Sequence, residues 1–313
     1  MIDKDAKGIS YTGGFFILIA FCIAGLIFAD VIAIPVWQNM TGQSFKNFEK
    51  GLTDPANSDA VKIIQSISSV LGFFLPALVV AYILNRKPAK LLGFTGPVAF
   101  RPLSLVLGIM ILALLVSVSL TWFNDRIPIP ESWRVQFTKA EEIYNQRLEA
   151  IMKLDSTGEF ILSLVVMAFL PALCEETLFR GGLQNFLTRA TKIPWLSILI
   201  VSIIFSLAHW SYFGFMSRLF LGIILGLIYH YTGRLWLCII AHFLNNALAV
   251  TMLYVNKLQG KPMKDAVGEN ASVAWPIILL PVVIGLLIWL RKISTAKEIE
   301  QPVRTDLLNP PSN

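Results

Sequence analysis

Long apolar blocks recur along the chain, separated by shorter polar segments. A helix needs about 20 residues to cross a hydrocarbon core of about 30 Å, because each residue adds about 1.5 Å of rise. The blocks reach or approach this length, so the pattern predicts an all-α, polytopic membrane helix bundle of about eight transmembrane helices. The predicted spans are residues 15–36, 63–84, 103–123, 160–173, 195–208, 215–231, 235–254 and 275–290.

Two segments outside these spans have a different composition. Residues 131–153 mix charged and apolar side chains, which is typical of an amphipathic helix at the membrane surface. The segment from residue 299 onward ends in a proline-containing polar stretch and is predicted to be a disordered tail. Neither segment indicates a second globular domain.

The composition supports the membrane assignment. Of the 313 residues, 55% are hydrophobic and 15% are charged, whereas soluble domains contain about 25% charged residues. The net charge is +6, but the Lys and Arg residues lie between apolar blocks and form no contiguous basic face. The lipid bilayer is therefore an expected partner, and nucleic acid is not.

The distribution of basic residues predicts the orientation of the chain, because cytoplasmic loops carry an excess of Lys and Arg. Basic residues cluster in segment 85–101 and in the C-terminal tail. With eight crossings, the N- and C-termini are both predicted to be cytoplasmic. The clusters consist of Arg86, Lys87, Lys90, Arg101, Arg291, Lys292, Lys297 and Arg304.

Two adjacent carboxylates and an arginine lie within an apolar helix predicted from about residue 160 to 187. A charge at bilayer depth costs about 2.5–3.5 kcal/mol on an insertion scale, so each one needs a partner or a function. Residues four apart share a helix face, so Glu176 can pair with Arg180 while Glu175 stays free. Pro171 removes a backbone hydrogen bond one turn before Glu175 and is expected to distort the helix there.

Imidazole and amide side chains occur in two later spans. His209 ends the fifth apolar block, and His242 and Asn246 are four apart in the seventh. A free carboxylate and an imidazole can deprotonate water for attack on a carbonyl group, and an amide or second imidazole can stabilise the resulting oxyanion. The residue types therefore indicate a hydrolytic site for peptide bonds that includes Glu175.

The motifs of other intramembrane hydrolases are missing from the sequence. It has no H-E-x-x-H zinc helix and no G-x-S-x-G elbow, and Asp30 is the only aspartate within an apolar span. A bound metal stays open, because Glu175, His209 and His242 are acceptable zinc ligands by type. Their long separations along the chain give this alternative little weight.

The three polar clusters resemble the signature of the CPBP family, which comprises the CAAX prenyl proteases and the Abi, or bacteriocin-processing, intramembrane proteases. The resemblance covers about residues 160–250, with the three motifs in order and each on an apolar helix. The motifs E-E-x-x-x-R, F-x-x-x-H and H-x-x-x-N are found here as Glu175-Glu176…Arg180, Phe205…His209 and His242…Asn246.

The resemblance implies an intramembrane endopeptidase that acts on a hydrophobic or lipid-modified peptide. Family members have been described both as metalloproteases and as metal-independent glutamate proteases. No cofactor is expected here, although a divalent metal such as zinc stays possible. Carried over position by position, Glu175 and His209 would activate the attacking water, His242 and Asn246 would form the oxyanion pocket, and Glu176 and Arg180 would hold the site together.

The sequence also predicts a division of the chain and leaves one alternative function open. Residues 1–159 would hold the N-terminal transmembrane helices and the amphipathic surface segment, 160–255 the catalytic helical core, and 256–313 the last span and a cytoplasmic tail. The alternative is a non-proteolytic protein, either a bacteriocin immunity or scaffold protein or a proton-coupled transporter. A transporter could use Glu175 and His209 as a proton relay, but the two halves of the chain show no matching broken helices.

Overall fold

The computed structural model describes residues 4–261 and 274–299, and within these ranges the fold is all-α. The predicted tail lies outside the described residues. Short helices also occur at Phe45–Asn47, Phe48–Gly51 and Pro88–Leu92. The longer helices are α1 (Tyr11–Thr41), α2 (Pro55–Leu84), α3 (Phe100–Asp125), α4 (Glu131–Ile151), α5 (Thr157–Thr191), α6 (Pro194–Leu207), α7 (Phe215–Thr232), α8 (Leu235–Leu258) and α9 (Ala274–Ile299).

The observed helices confirm the polytopic membrane fold predicted from the apolar blocks. Six of the described helices are long and apolar enough to cross a membrane, namely α1, α2, α3, α5, α7 and α8. The apolar helix α6 has 14 residues, and α9 has 26. Together these eight helices correspond to the eight predicted spans, and the chain is an integral multi-pass membrane protein. Helix α4, with its mixed composition, corresponds to the predicted amphipathic segment.

Helices α1 and α2 cross at close range where α2 contains a π-helical segment, Val70–Phe74. A Cβ atom on Gly25 of α1 would lie 2.1 Å from the carbonyl oxygen of Leu71, and one on Gly72 would lie 2.4 Å from the Leu26 side chain. At Gly25 the obstacle is backbone, so this position has no room for a side chain unless the helices move. Because lipid supplies no hydrophobic force between helices, this close backbone packing is what holds the pair together.

Helix α5 carries the acidic motif and contains two π-helical segments, Leu164–Phe169 and Thr177–Gln184. Pro171 lies two residues after Phe169, the last residue of the first segment, so the distortion expected at this proline takes the form of a wider helical turn before it. The second segment begins immediately after Glu176. Wider turns of this kind often occur at functional sites, because they redirect side chains within a helix.

Helices α3, α7, α8 and α9 form the largest apolar cluster, with buried residues such as Ile109, Leu225, Cys238 and Val283. Helix α6 packs along α7, where a Cβ on Gly222 would contact Ser202 at 3.1 Å and one on Gly226 would contact Ile198 at 2.9 Å. Gly222 and Gly226 are four residues apart and lie on one face of α7, so they allow α7 to approach α6 closely. Phe205 on α6 and Glu176 on α5 both contact His242 of α8, so the candidate site lies between these three helices.

Candidate active site

A buried ion pair on α5 forms the base of the site. The guanidinium of Arg180 lies 2.6 Å from Oε1 of Glu176, and both side chains are almost completely buried. The pair therefore forms as the four-residue spacing predicts. Arg180 also donates to the carbonyl oxygen of Gly222 on α7, at 3.3 Å, and its guanidinium lies 4.7 Å from the centre of the Phe205 ring on α6. Arg180 of α5 therefore contacts residues of both α6 and α7.

His242 on α8 shares the same carboxylate. Its Nδ1 lies 2.8 Å from Oε1 of Glu176, so the other ring nitrogen, Nε2, is left for the site. Nε2 lies 3.9 Å from Oε2 of Glu175. This distance is too long for a direct hydrogen bond but short enough for one solvent molecule to contact both atoms. Oε2 of Glu175 is buried and has no hydrogen-bond partner among the described residues.

The Phe205 ring contacts both histidines of the candidate site. Its ring lies 4.9 Å from the His209 ring and 5.8 Å from the His242 ring, centre to centre, in edge-to-face geometry. His209 lies beyond the end of α6, in the turn before α7, rather than on the helix itself. Its Nδ1 donates to the carbonyl oxygen of Phe205 at 2.8 Å, since a carbonyl can only accept, and Nε2 remains available.

Asn246 lies one turn after His242 and is held by two contacts. Its side-chain nitrogen lies 3.5 Å from the carbonyl oxygen of Ala168, in the first π-helical segment of α5, and its oxygen accepts a 2.8 Å bond from Asn245. Asn245 thus has a structural role here, since its side-chain amide donates to the side-chain oxygen of Asn246. The side-chain nitrogen of Asn246 keeps one hydrogen free to donate to a ligand.

Sequence reasoning missed Gln184, which lies four residues after Arg180 on the same helix. Its side chain is buried and donates to the carbonyl oxygen of Gly226 at 2.9 Å, four residues after the Gly222 carbonyl that Arg180 contacts. Two side chains one turn apart on α5 thus donate to two glycine carbonyls one turn apart on α7. The four-residue spacing of Arg180 and Gln184 on an apolar helix could have identified Gln184 from the sequence.

The structure also bears on the possible zinc site. Within the described ranges, no group of three His, Cys, Asp or Glu side chains lies in an arrangement that could hold a metal ion. Nδ1 of His242 and Nδ1 of His209 are both engaged with protein acceptors, which leaves one nitrogen on each ring. The described residues therefore form no closed metal site, and the mechanism proposed for this chain uses no metal.

Comparison with known protein families supports the resemblance stated above. Residues 157–248 match the model of a family described as Rce1-like, type II CAAX prenyl endopeptidase. The matched region runs from the start of α5 into α8 and contains all three polar motifs. The chain matches no curated protein and no solved structure. The family resemblance is therefore confirmed over this region, and the helices before it are not included in the match.

Proposed function

We propose, from the match of residues 157–248 to CAAX-type endopeptidases, that this protein is an intramembrane endopeptidase that uses a glutamate-activated water. The relationship that supports this proposal most directly lies between Glu175 and His242. A buried carboxylate oxygen that has no hydrogen-bond partner within the described part of the chain faces an imidazole nitrogen at 3.9 Å, and the other nitrogen of that ring contacts Glu176.

In the first step, Glu175 takes a proton from a water molecule, and the water oxygen attacks the carbonyl carbon of the scissile peptide bond. The available Nε2 of His209 accepts a hydrogen bond from the same water and helps to orient it. A new C–O bond forms, and the carbonyl electrons move onto the oxygen, which becomes an oxyanion. The apolar surroundings strengthen these electrostatic contacts, because bulk water does not screen them.

The oxyanion is stabilised by His242 and Asn246. Nε2 of His242 donates to the oxyanion when the ring carries both protons, while Nδ1 donates to Oε1 of Glu176. The remaining amide hydrogen of Asn246 is the second donor. The tetrahedral intermediate then collapses: the C–N bond breaks, the leaving nitrogen takes the proton held by Glu175, and a new carboxylic acid and a free amine are released.

The proposed substrate is a hydrophobic or lipid-modified peptide that enters from the cytoplasmic leaflet. The proposed topology has both termini in the cytoplasm, and residues 160–255 form the catalytic core.

No metal is required in this proposal. Chelation therefore leaves hydrolysis unchanged, whereas a metal-dependent reaction would stop and recover with added zinc.

The decisive test is the substitution Glu175→Gln, which keeps the shape of the side chain but removes the base. Purified wild-type protein should cleave membrane peptides that accumulate in cells expressing the variant, while Glu175→Gln should lose hydrolysis by at least about 100-fold. Glu142→Gln, on the exposed face of α4, is the matched control and should retain activity. Full activity in Glu175→Gln would show that this residue is not the base.

Proton-coupled flux in proteoliposomes without peptide cleavage would instead support the transporter alternative.

A further inference from the structure

The turn that carries His209 is bound by a helix that lies outside the family match. We call residues 208–214, between α6 and α7, the His209 loop. Within the loop, Trp210 has φ of +51°, a left-handed conformation that residues other than glycine rarely adopt. Such a conformation persists only where surrounding contacts hold it in place. The position of His209 therefore depends on whatever binds this loop.

Helix α4 supplies two of these contacts from one face. Glu141 accepts a 2.7 Å hydrogen bond from the hydroxyl of Ser211, and the Phe137 ring stacks on Tyr212 with ring centres 4.6 Å apart and planes 5° apart. Phe137 and Glu141 are four residues apart, so they project from the same side of the helix. Ser211 and Tyr212 are the second and third residues after His209.

Other contacts complete the attachment of the loop. Asn124, at the end of α3, donates to the carbonyl oxygen of Tyr212 at 2.8 Å, and Arg218 of α7 donates to the carbonyl oxygen of Ser211 at 3.1 Å. The hydroxyl of Ser206 on α6 donates to the carbonyl oxygen of Phe215 at 2.7 Å and so closes the base of the loop. The bonds from α3, α6 and α7 come from apolar helices that correspond to predicted spans, whereas α4 corresponds to the predicted amphipathic segment.

Tyr144 lies on the face of α4 that binds the His209 loop. It lies three residues after Glu141 and therefore on the same side of the helix. Partial burial raises the pKa of the Tyr144 phenol above its ordinary value, and the charges of Arg218, Glu141 and Glu175 also act on it. The face of α4 that binds the His209 loop thus lies within electrostatic range of the proposed base.

We propose that Glu141 and Phe137 are positioning residues for His209, and that α4 holds the His209 loop against the site through Ser211 and Tyr212. This inference rests on the proposed function, because it assigns α4 the role of fixing one of the groups that orient the water. Misplacement of a catalytic group by about 1 Å can lower a rate by about 100-fold, so the loss of one contact to the His209 loop can have a large kinetic effect.

The first test compares Glu141→Ala, Ser211→Ala and the double variant in peptide hydrolysis. Each single change should lower kcat by about 10-fold or more and leave KM nearly unchanged, because the substrate site remains but the water is poorly oriented. The double variant should be no slower than the slower single variant, since both remove the same bond. Glu141→Gln should recover most of the activity, because its amide oxygen can accept from Ser211. The control, Glu142→Ala, changes an exposed neighbour on α4 and should match the wild type.

A second measurement does not require activity. Hydrogen exchange of the backbone amides in residues 208–214 should become faster in Glu141→Ala and Ser211→Ala, and should not change in α5 or in Glu142→Ala. Unchanged exchange in the loop, or losses of kcat that multiply in the double variant, would overturn the positioning role. If wild type and Glu175→Gln are equally inactive, the proposed function fails, and the exchange comparison still decides whether α4 holds the loop.

Discussion

Nδ1 of His242 lies 2.8 Å from Oε1 of Glu176, and the guanidinium of Arg180 lies 2.6 Å from the same oxygen. One carboxylate oxygen thus serves both an arginine on its own helix and a histidine 66 positions away. This sharing explains how ionisable groups are tolerated among apolar helices. It also fixes the direction of the His242 ring, with Nε2 towards Glu175.

Breaking the Glu176–Arg180 pair should destabilise the protein more than removing it altogether. Glu176→Gln leaves the Arg180 charge buried without its counter-ion, a change that costs about 3–5 kcal/mol in other buried pairs. The double variant Glu176→Gln, Arg180→Met leaves no uncompensated charge and should unfold at a higher temperature than Glu176→Gln alone. Thermal unfolding in detergent measures the double variant and both single variants, Glu176→Gln and Arg180→Met. A double variant whose loss equals the sum of the two single losses would show that the charges do not act as a pair.

The three histidines of the chain provide an internal comparison. His209 and His242 lie within the proposed site, whereas His230 is exposed in the last turn of α7. His209→Ala and His242→Ala should each lower peptide hydrolysis by about 100-fold or more, because in the proposed mechanism each removes a group that contacts the water or the oxyanion. His230→Ala should retain wild-type activity. Equal losses in all three variants would point to a general effect on folding.

Two glycine substitutions test the crossing of α1 and α2. In Gly25→Ala, the new Cβ would lie 2.1 Å from the carbonyl oxygen of Leu71, so the helices must separate. The cost of such overpacking is about 1–3 kcal/mol or more. Gly108→Ala on α3 introduces the same group where nothing lies within 4 Å and should leave the thermal unfolding temperature nearly unchanged. Equal unfolding temperatures for the two variants would contradict close backbone contact at Gly25.

Lys62 on α2 is 3% exposed, and its ammonium nitrogen has no hydrogen-bond partner among the described residues. A buried charge without a partner destabilises the folded state. Lys62→Met keeps much of the side-chain volume and removes the charge, so the apparent unfolding temperature should rise by about 2–4 °C for each kcal/mol gained. Lys50→Met, at an exposed lysine, is the matched control and should have little effect. A lower unfolding temperature for Lys62→Met would show that the ammonium makes a favourable interaction.

The sequence by itself determined the membrane fold and the positions of its helices. The length of an apolar block fixes a membrane helix directly, because the bilayer admits few alternatives to a fully hydrogen-bonded helix. The predicted start of the seventh span, residue 235, is the first residue of α8, and residue 84 ends both the second predicted span and α2. The pairing of Glu176 with Arg180 was also predictable, since both partners lie on one helix at a four-residue spacing.

Only the tertiary structure decided which side chains from different helices meet. The contact of His242 with Glu176, the position of Phe205 between Arg180 and the two histidines, and the attachment of the His209 loop to α4 all join distant parts of the chain. Helical periodicity relates only residues on the same helix, so it cannot show how one helix is rotated against another. That rotation follows from the packing of the whole bundle, including the glycine contacts of α1, α2 and α7.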